Sequence, residues 1–142
     1  GNQLTRQVID SIDLGVAVDT KDGLFVPVIK DLANKSAKEI RTELNTIKKE
    51  VMDRTIAQDK LKGATITLSN FGKFAGRYAN PIIVPPQVAI LGVGALREEP
   101  VVVNGEIKIV KVIPLALTFD HRAITGGEST RFLGRVITEL EK

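Results

Sequence analysis

Leu14-Gly-Val-Ala-Val-Asp-Thr-Lys-Asp-Gly-Leu-Phe-Val-Pro-Val-Ile29 holds two apolar, β-branched runs, Leu14–Val18 and Leu24–Ile29, separated only by Asp19-Thr-Lys-Asp-Gly23. The Asp-Gly pair suits a tight turn, so the stretch predicts a hairpin. Pro27 cannot donate to a strand ladder, which puts the second arm at a sheet edge or breaks it there. Strand following strand with no helix between them departs from the parallel alternation of a nucleotide-binding doubly wound sheet.

Outward from this hairpin, Ser36 with Glu39 forms a capping-box pattern. Ile40, Leu44, Ile47 and Val51 follow at helical spacing, predicting an amphipathic helix to about Gln58. After Gly63, Ala64-Thr-Ile-Thr-Leu68 alternates as a half-buried strand does and delivers Ser69 to a loop mouth. Gly72 to Pro86, with Pro81, Pro85 and Pro86, reads as a long ordered loop before a strand at Val88–Val93. Val101–Val103 and Glu106–Val110 flank Asn104-Gly105, a strong hairpin signal, and the second arm is expected to run on through Val112 to Phe119. Gly126 and Gly127 precede a C-terminal helix carrying Phe132, Leu133, Val136, Ile137 and Leu140. These elements predict an α/β chain, an α+β two-layer sandwich in which a mixed sheet is covered by helices on one face.

With 142 residues and 43% hydrophobic content, the chain is of a size to form one compact domain, residues 1–142. No apolar run reaches the roughly 18 to 20 residues needed to cross a bilayer, and Gly1 to Ile12 carries no apolar signal core, so no membrane role is expected. The absence of cysteine excludes disulfides, thiolate metal sites and a protein thiol nucleophile. Thiol chemistry would have to use substrate thiols. No metal is expected. The net charge of +3 is mild, and Lys35, Lys38, Arg41, Lys48, Lys49, Arg54 and Lys60 are interleaved with Glu39, Glu43, Glu50, Asp53 and Asp59. That pattern describes a solvated helix face, and with 4% aromatics it argues against a nucleic-acid surface.

The single histidine stands in Asp120-His121-Arg122-Ala-Ile-Thr125-Gly126-Gly127, after the strand-like run Ile113–Phe119. From spacing alone His121 could be a packed or surface histidine, and Asp120 with Arg122 could be an ion pair holding the turn. Ser69 could equally close its strand by bonding local backbone.

Four motifs occur in order: Gly15-Val-Ala-Val-Asp-Thr20 with Gly23-Leu-Phe-Val-Pro-Val-Ile29; Thr67-Leu-Ser-Asn-Phe-Gly72; Pro85-Pro-Gln-Val-Ala-Ile-Leu-Gly92; and Asp120-His-Arg with Gly126. From about Leu14 to Leu140 the sequence thereby resembles the C-terminal two thirds of the catalytic domain of dihydrolipoamide acyltransferases, the core component of 2-oxo acid dehydrogenase complexes. The Pro85-Pro86 pair is slightly more like the branched-chain members than the acetyl ones.

The resemblance implies the CoA-dependent acyltransferase fold, similar to that of chloramphenicol acetyltransferase. It also implies transfer of an acyl group from the dihydrolipoyl arm of a separate lipoyl domain to coenzyme A. By the family motif, His121 is the general base that deprotonates the CoA thiol and Ser69 donates to the tetrahedral oxyanion. A thiol of pKa about 8.5 is only a few per cent ionised at neutral pH, so an imidazole, with an ordinary pKa of about 6.5, suits the step. Asp120, Arg122 and Gly126 match positions near the site that look structural. Gly126 permits a close approach or a positive φ, or is a plain helix-entry glycine. Thr125 stands where the family usually has Asp or Asn, and its hydroxyl is expected to substitute in part for that orienting group.

The resemblance further implies a homotrimer, extending to a larger cage, with the site in a channel between subunits so that His121 of one chain faces Ser69 of another. Partners would be the lipoyl domain and other components of the complex, in the bacterial cytoplasm or the mitochondrial matrix. The chain is expected to lack the N-terminal third of the catalytic domain, together with any lipoyl or subunit-binding domain. A small-molecule acetyltransferase of the chloramphenicol type and a non-catalytic core or scaffold module are the alternatives. The acyl group and the CoA-binding residues stay open.

Overall fold

The computed structural model describes residues 5 and 7–142; the expected start of the domain at positions 1–4 and 6 lies outside the described residues. Among the described residues, nine strands and two α-helices follow in chain order. They are β1 (Leu14–Val16), β2 (Val18–Thr20), β3 (Gly23–Phe25), β4 (Val28–Ile29), α1 (Ala37–Met52) and β5 (Ile66–Asn70). After them come β6 (Ala89–Val93), β7 (Arg97–Val103), β8 (Glu106–Val112), β9 (Leu115–Phe119) and α2 (Gly126–Leu140). Short 3-10 turns lie at Leu32–Asn34, Gln58–Leu61 and Gly72–Phe74.

The frame is a five-stranded mixed sheet of order β4-β1-β5-β6-β9. β1, β5 and β6 are parallel, and β4 and β9 run antiparallel at its two edges. The opening hairpin forms, but each arm divides. Its tip is the separate ribbon β2-β3, with Thr20 opposite Gly23, while β1 and β4 pair within the main sheet. Pro27 lies at the break beside edge strand β4, and its carbonyl accepts the Val16 N–H at 2.8 Å.

Helix α1 starts as its sequence predicts, with Ser36 and Glu39 exchanging both bonds of the capping box. It stops at Met52, short of Gln58. The Thr55 N–H donates to Glu50 O at 2.8 Å and the Arg54 N–H to Val51 O at 3.2 Å, with Arg54 left-handed at φ 59. This is a Schellman closure made with arginine where glycine is usual. Arg54 also pairs with Asp22 at 2.5 Å, tying the helix end to the β2-β3 turn. Ile47 and Val51 of α1 and Val28 and Ile29 of β4 are buried, placing the core at that edge of the sheet.

Asn104 and Gly105, both at positive φ, turn β7 into β8 as predicted, with longer arms than expected. The second arm does not continue to Phe119. Pro114 has no N–H for a ladder; the chain breaks at Ile113-Pro114, and β9 leaves the hairpin to pair with β6. Side chains opposite one another in a sheet share a face. Ile66, Ala89 and Phe119 therefore face together toward α2, where they border a space with Ile124, Ser129 and Phe132. The other face carries Ser69, Gly92 and Ala116, and the Phe71 ring and Pro81 pack over Gly92 there. Among the described residues no helix is long and apolar enough to cross a membrane.

Candidate active site

Ser69 is the penultimate residue of β5 and half-buried. It borders a cleft of about 470 Å³ with Asn70, Leu24, Lys48, Met52 and Lys73. Its hydroxyl makes no hydrogen bond to the described residues, so it is not closing the strand on local backbone. The neighbouring polar side chains are occupied: Thr67 donates to Gln87 Oε1 at 2.6 Å, and Asn70 Oδ1 accepts the Gly72 N–H at 3.1 Å.

His121 lies two residues beyond β9 and is exposed. Its imidazole has no hydrogen-bond partner among the described residues and stands against the Phe119 ring, centroids 5.5 Å apart at 44°. The turn beneath it is fixed from both sides. The Asp120 carbonyl accepts the N–H of Ala123 and of Ile124, each at 3.0 Å. The Asp120 carboxylate takes Arg122 Nη2 at 2.7 Å, Nε at 3.0 Å and the Arg122 backbone N–H at 3.0 Å. This arrangement is the ion pair anticipated from the sequence.

Thr125 is the N-cap of α2: its hydroxyl donates to Glu128 Oε2 at 2.8 Å and accepts the Glu128 N–H at 3.2 Å. The one hydroxyl proton is spent within the capping box. Gly126 opens the helix with a negative φ and nothing within 4 Å of a built Cβ, so neither close approach nor backbone strain requires glycine there. Helix entry accounts for it.

Within one chain Ser69 and His121 are far apart. Ser69 is opposite Gly92 of β6, whereas the Asp120 N–H bonds the carbonyl of Val88, four residues back along β6. That is roughly 13 Å along the strand and, from β5 across β6 to β9, roughly 10 Å sideways. The two unbonded side chains therefore sit at opposite ends of the sheet.

Residues 3–142 match the model of the 2-oxoacid dehydrogenases acyltransferase (catalytic domain) family. The chain belongs to this family.

Among proteins similar to this acyltransferase-family chain is the dihydrolipoyllysine-residue acetyltransferase component of the pyruvate dehydrogenase complex of Mycoplasma capricolum, 40% identical over 136 residues. The match covers 96% of this chain and 31% of that protein, so the chain spans under a third of the relative. A probable dihydrolipoamide acetyltransferase from Listeria monocytogenes has a similar structure, with a TM-score of 0.90 and 30% identity over 94% of this chain and 57% of that one. The Azotobacter vinelandii dihydrolipoamide acetyltransferase, studied for the roles of a serine, a histidine and an asparagine in its catalytic mechanism, gives 0.84 at 35% identity, covering 90% and 53%. The fold is that of these catalytic cores, as expected.

In this family member the Arg122 clamp lowers the Asp120 carboxyl from an ordinary 3.8 to about 2; the Arg122 side-chain bond is the larger cause and its backbone N–H the next. A depressed folded value means the pair is intact above about pH 4 and is lost as pH falls toward 2. In an NMR titration, Arg122→Ala should raise the Asp120 midpoint toward 3.8, stopping short while the backbone N–H still donates. An unmoved midpoint would show that the clamp is not the cause.

Sequence patterns did not find the wall of the Ser69 cleft. Lys48 and Met52 come from α1, and Leu24 from β3. Only the packing of α1 against β2 and β4 brings them beside β5. Among the described residues no cluster of His, Asp and Glu could hold a metal ion.

Proposed function

We propose that the chain is the catalytic core of a dihydrolipoamide acyltransferase, passing an acyl group, most simply acetyl, from S-acyl-dihydrolipoyl to coenzyme A. One observation carries this reading: of the site residues that the resemblance singles out, Ser69 and His121 make no hydrogen bond to the described residues, whereas Asp120, Arg122 and Thr125 are each bonded within the turn and the helix cap. The serine and histidine of the Azotobacter enzyme are separated by fifty-two residues and its asparagine follows four beyond, the separations of Ser69, His121 and Thr125 here.

In the forward reaction the His121 imidazole takes the proton of the CoA thiol, and the thiolate attacks the acyl carbonyl of the S-acyl-dihydrolipoyl thioester. The Ser69 hydroxyl donates to the resulting oxyanion. Collapse re-forms the carbonyl, breaks the bond to the dihydrolipoyl sulfur, and returns the proton from the imidazolium to that leaving thiolate. No acyl-enzyme forms. Because Ser69 and His121 occupy opposite sheet ends, each complete site takes one residue from each of two chains, which a cyclic homotrimer, and a larger core built from trimers, would supply. The lipoyl group would arrive on its own domain as part of a 2-oxo acid dehydrogenase complex, in the bacterial cytoplasm or the mitochondrial matrix. Residues 1–142 act here as one catalytic domain.

The committed hydroxyl of Thr125 favours a second reading, a core module that assembles without turning over. Acyl transfer between S-acetyl-dihydrolipoamide and CoA, followed by thioester release, separates the two: measurable turnover by the assembled chain supports the enzyme, and none supports the scaffold.

Thr125 also yields a prediction. An asparagine N-cap accepts the helix N–H through Oδ1 and keeps its NH₂ free, whereas threonine has a single proton, already given to Glu128. Thr125→Asn should leave thermal stability nearly unchanged and raise kcat. Thr125→Ala should cost about 1 kcal/mol of stability, read by denaturant unfolding. A kcat that does not respond to Asn would confine residue 125 to capping.

A further inference from the structure

Phe71 takes no part in the chemistry above, yet its ring occupies the place beside Ser69. Its backbone N–H carries the β5 ladder one residue further, onto Val93 O at 3.1 Å, so Phe71 points to the same face as Ser69, two residues back. Gly92 stands opposite Ser69 in register, and the ring lies over it: a Cβ at Gly92 would fall 2.8 Å from ring Cε1. The other edge of the ring meets Gly76, where a Cβ would fall 2.7 Å from Cδ2. Two missing side chains thus make a slot for one ring. Pro81 Cγ, 3.5 Å from the same Gly92 position, helps to close it. The slot is also braced from behind. Gly76 O accepts the Ala95 N–H at 2.8 Å, Arg97 Nη2 holds Ala75 O at 2.8 Å, and the Phe71 carbonyl accepts the Phe74 N–H at 3.2 Å. From this fixed seat Phe71 borders the same cleft as Ser69.

Resting on the acyltransferase reading, we propose that the Phe71 ring is the stop that sets the size of the acyl group, admitting acetyl and excluding longer or branched chains. Neighbouring strands lie about 4.8 Å apart, so a ring over Gly92 stands one strand away from the Ser69 hydroxyl. A thioester carbonyl is planar. With its oxygen on Ser69, the sulfur and the acyl chain leave the carbonyl carbon in two different directions. The sulfur carries a long arm and needs the open side of the cleft, which leaves the acyl chain the closed side, against the ring. A methyl group can rest on an immobile ring, but each further carbon would have to displace it, and the glycine slot gives it nowhere to go. Apolar pockets separate chains that differ by one methylene by about 10- to 200-fold. Phe71 is therefore a specificity-determining residue, and Gly76 and Gly92 hold it in place.

The test offers the assembled chain S-acetyl-, S-propionyl- and S-isobutyryl-dihydrolipoamide in competing pairs with CoA, and reads ratios of kcat/KM. Both substrates of a pair meet the same active molecules, so the ratio does not depend on how much of a variant folds. The parent is expected to prefer acetyl to isobutyryl by about tenfold or more. Phe71→Leu keeps an apolar wall and shortens it, and should raise the isobutyryl-to-acetyl ratio about tenfold. Gly92→Ala should act in the opposite direction, because its methyl pushes the ring into the cleft and lowers the propionyl-to-acetyl ratio. A control, Lys111→Ala on the β7-β8 ribbon, should leave every ratio unchanged. A ratio that Phe71→Leu does not move would overturn the proposal, as would a parent without preference. Calorimetric Kd values for acetyl-CoA and isobutyryl-CoA keep the two readings apart. A parent that transfers no acyl group but binds acetyl-CoA the more tightly, with that preference lost in Phe71→Leu, would sink the acyltransferase reading and leave the stop standing. Neither transfer nor preference would overturn both.

Discussion

Replacing His121 with alanine is expected to lower kcat for acyl transfer by about 10² to 10⁴, the usual worth of a positioned general base. KM should change little, because the proton transfer belongs to the transition state and not to substrate binding. Thermal unfolding should also change little. The imidazole is exposed, makes no hydrogen bond to the described residues and touches only the Phe119 ring among aromatic side chains. The adjacent carboxylate cannot replace it as a base. Asp120, the adjacent carboxylate, titrates at about 2 and is clamped by Arg122, so it is far too weak a base for a thiol of pKa about 8.5. Steady-state rates with saturating CoA and S-acetyl-dihydrolipoamide, taken beside a melting curve, give both halves of the result. Parent-like turnover in His121→Ala would remove the base assignment, while a large drop in melting temperature would mean that the histidine supports the fold.

Local signals carried most of the fold's elements, and they failed where the determining contact was remote or disguised. Ser36 and Glu39 announce α1, and Asn104-Gly105 announces the β7-β8 turn, because each motif satisfies its own backbone groups. The end of α1 was hidden because Arg54, an unremarkable helix former, takes the left-handed position that glycine would have flagged, and Asp22 from the hairpin holds it there. At α2 the same threonine-to-glutamate pattern that marks a capping box was present, with two glycines inside it. Glycine is a poor helix former, so the sequence places the helix after the pair, yet the Thr125–Glu128 bonds start it at Gly126. The site was legible as residue types and illegible as a place. Nothing in the strand patterns says that β5 and β6 run parallel while β9 returns antiparallel, and that arrangement alone sends Ser69 and His121 to opposite ends of the sheet.

That separation sets the last and most discriminating expectation. Ser69→Ala should lower kcat by about 10² to 10³, the typical loss for one oxyanion donor. Stability should hardly respond, since the hydroxyl has no hydrogen-bond partner among the described residues. Alone, this result would fit a site formed within one chain or between two. Mixing removes the ambiguity. If each site joins Ser69 of one protomer to His121 of the next, Ser69→Ala and His121→Ala chains, dissociated together and reassembled at equal amounts, will restore both groups at some junctions. A junction is whole when its serine comes from the His121→Ala chain and its histidine from the Ser69→Ala chain. Random assembly of a ring of identical contacts makes about a quarter of them whole. Recovery of about a quarter of parent activity, absent when the two variants are mixed without dissociation, is therefore the expected signature of a shared site. No recovery from reassembled mixtures that are demonstrably mixed by mass would confine both residues to one chain's chemistry, and the roughly 13 Å of strand between their levels in the sheet would then have to close by a rearrangement of β9 and its turn.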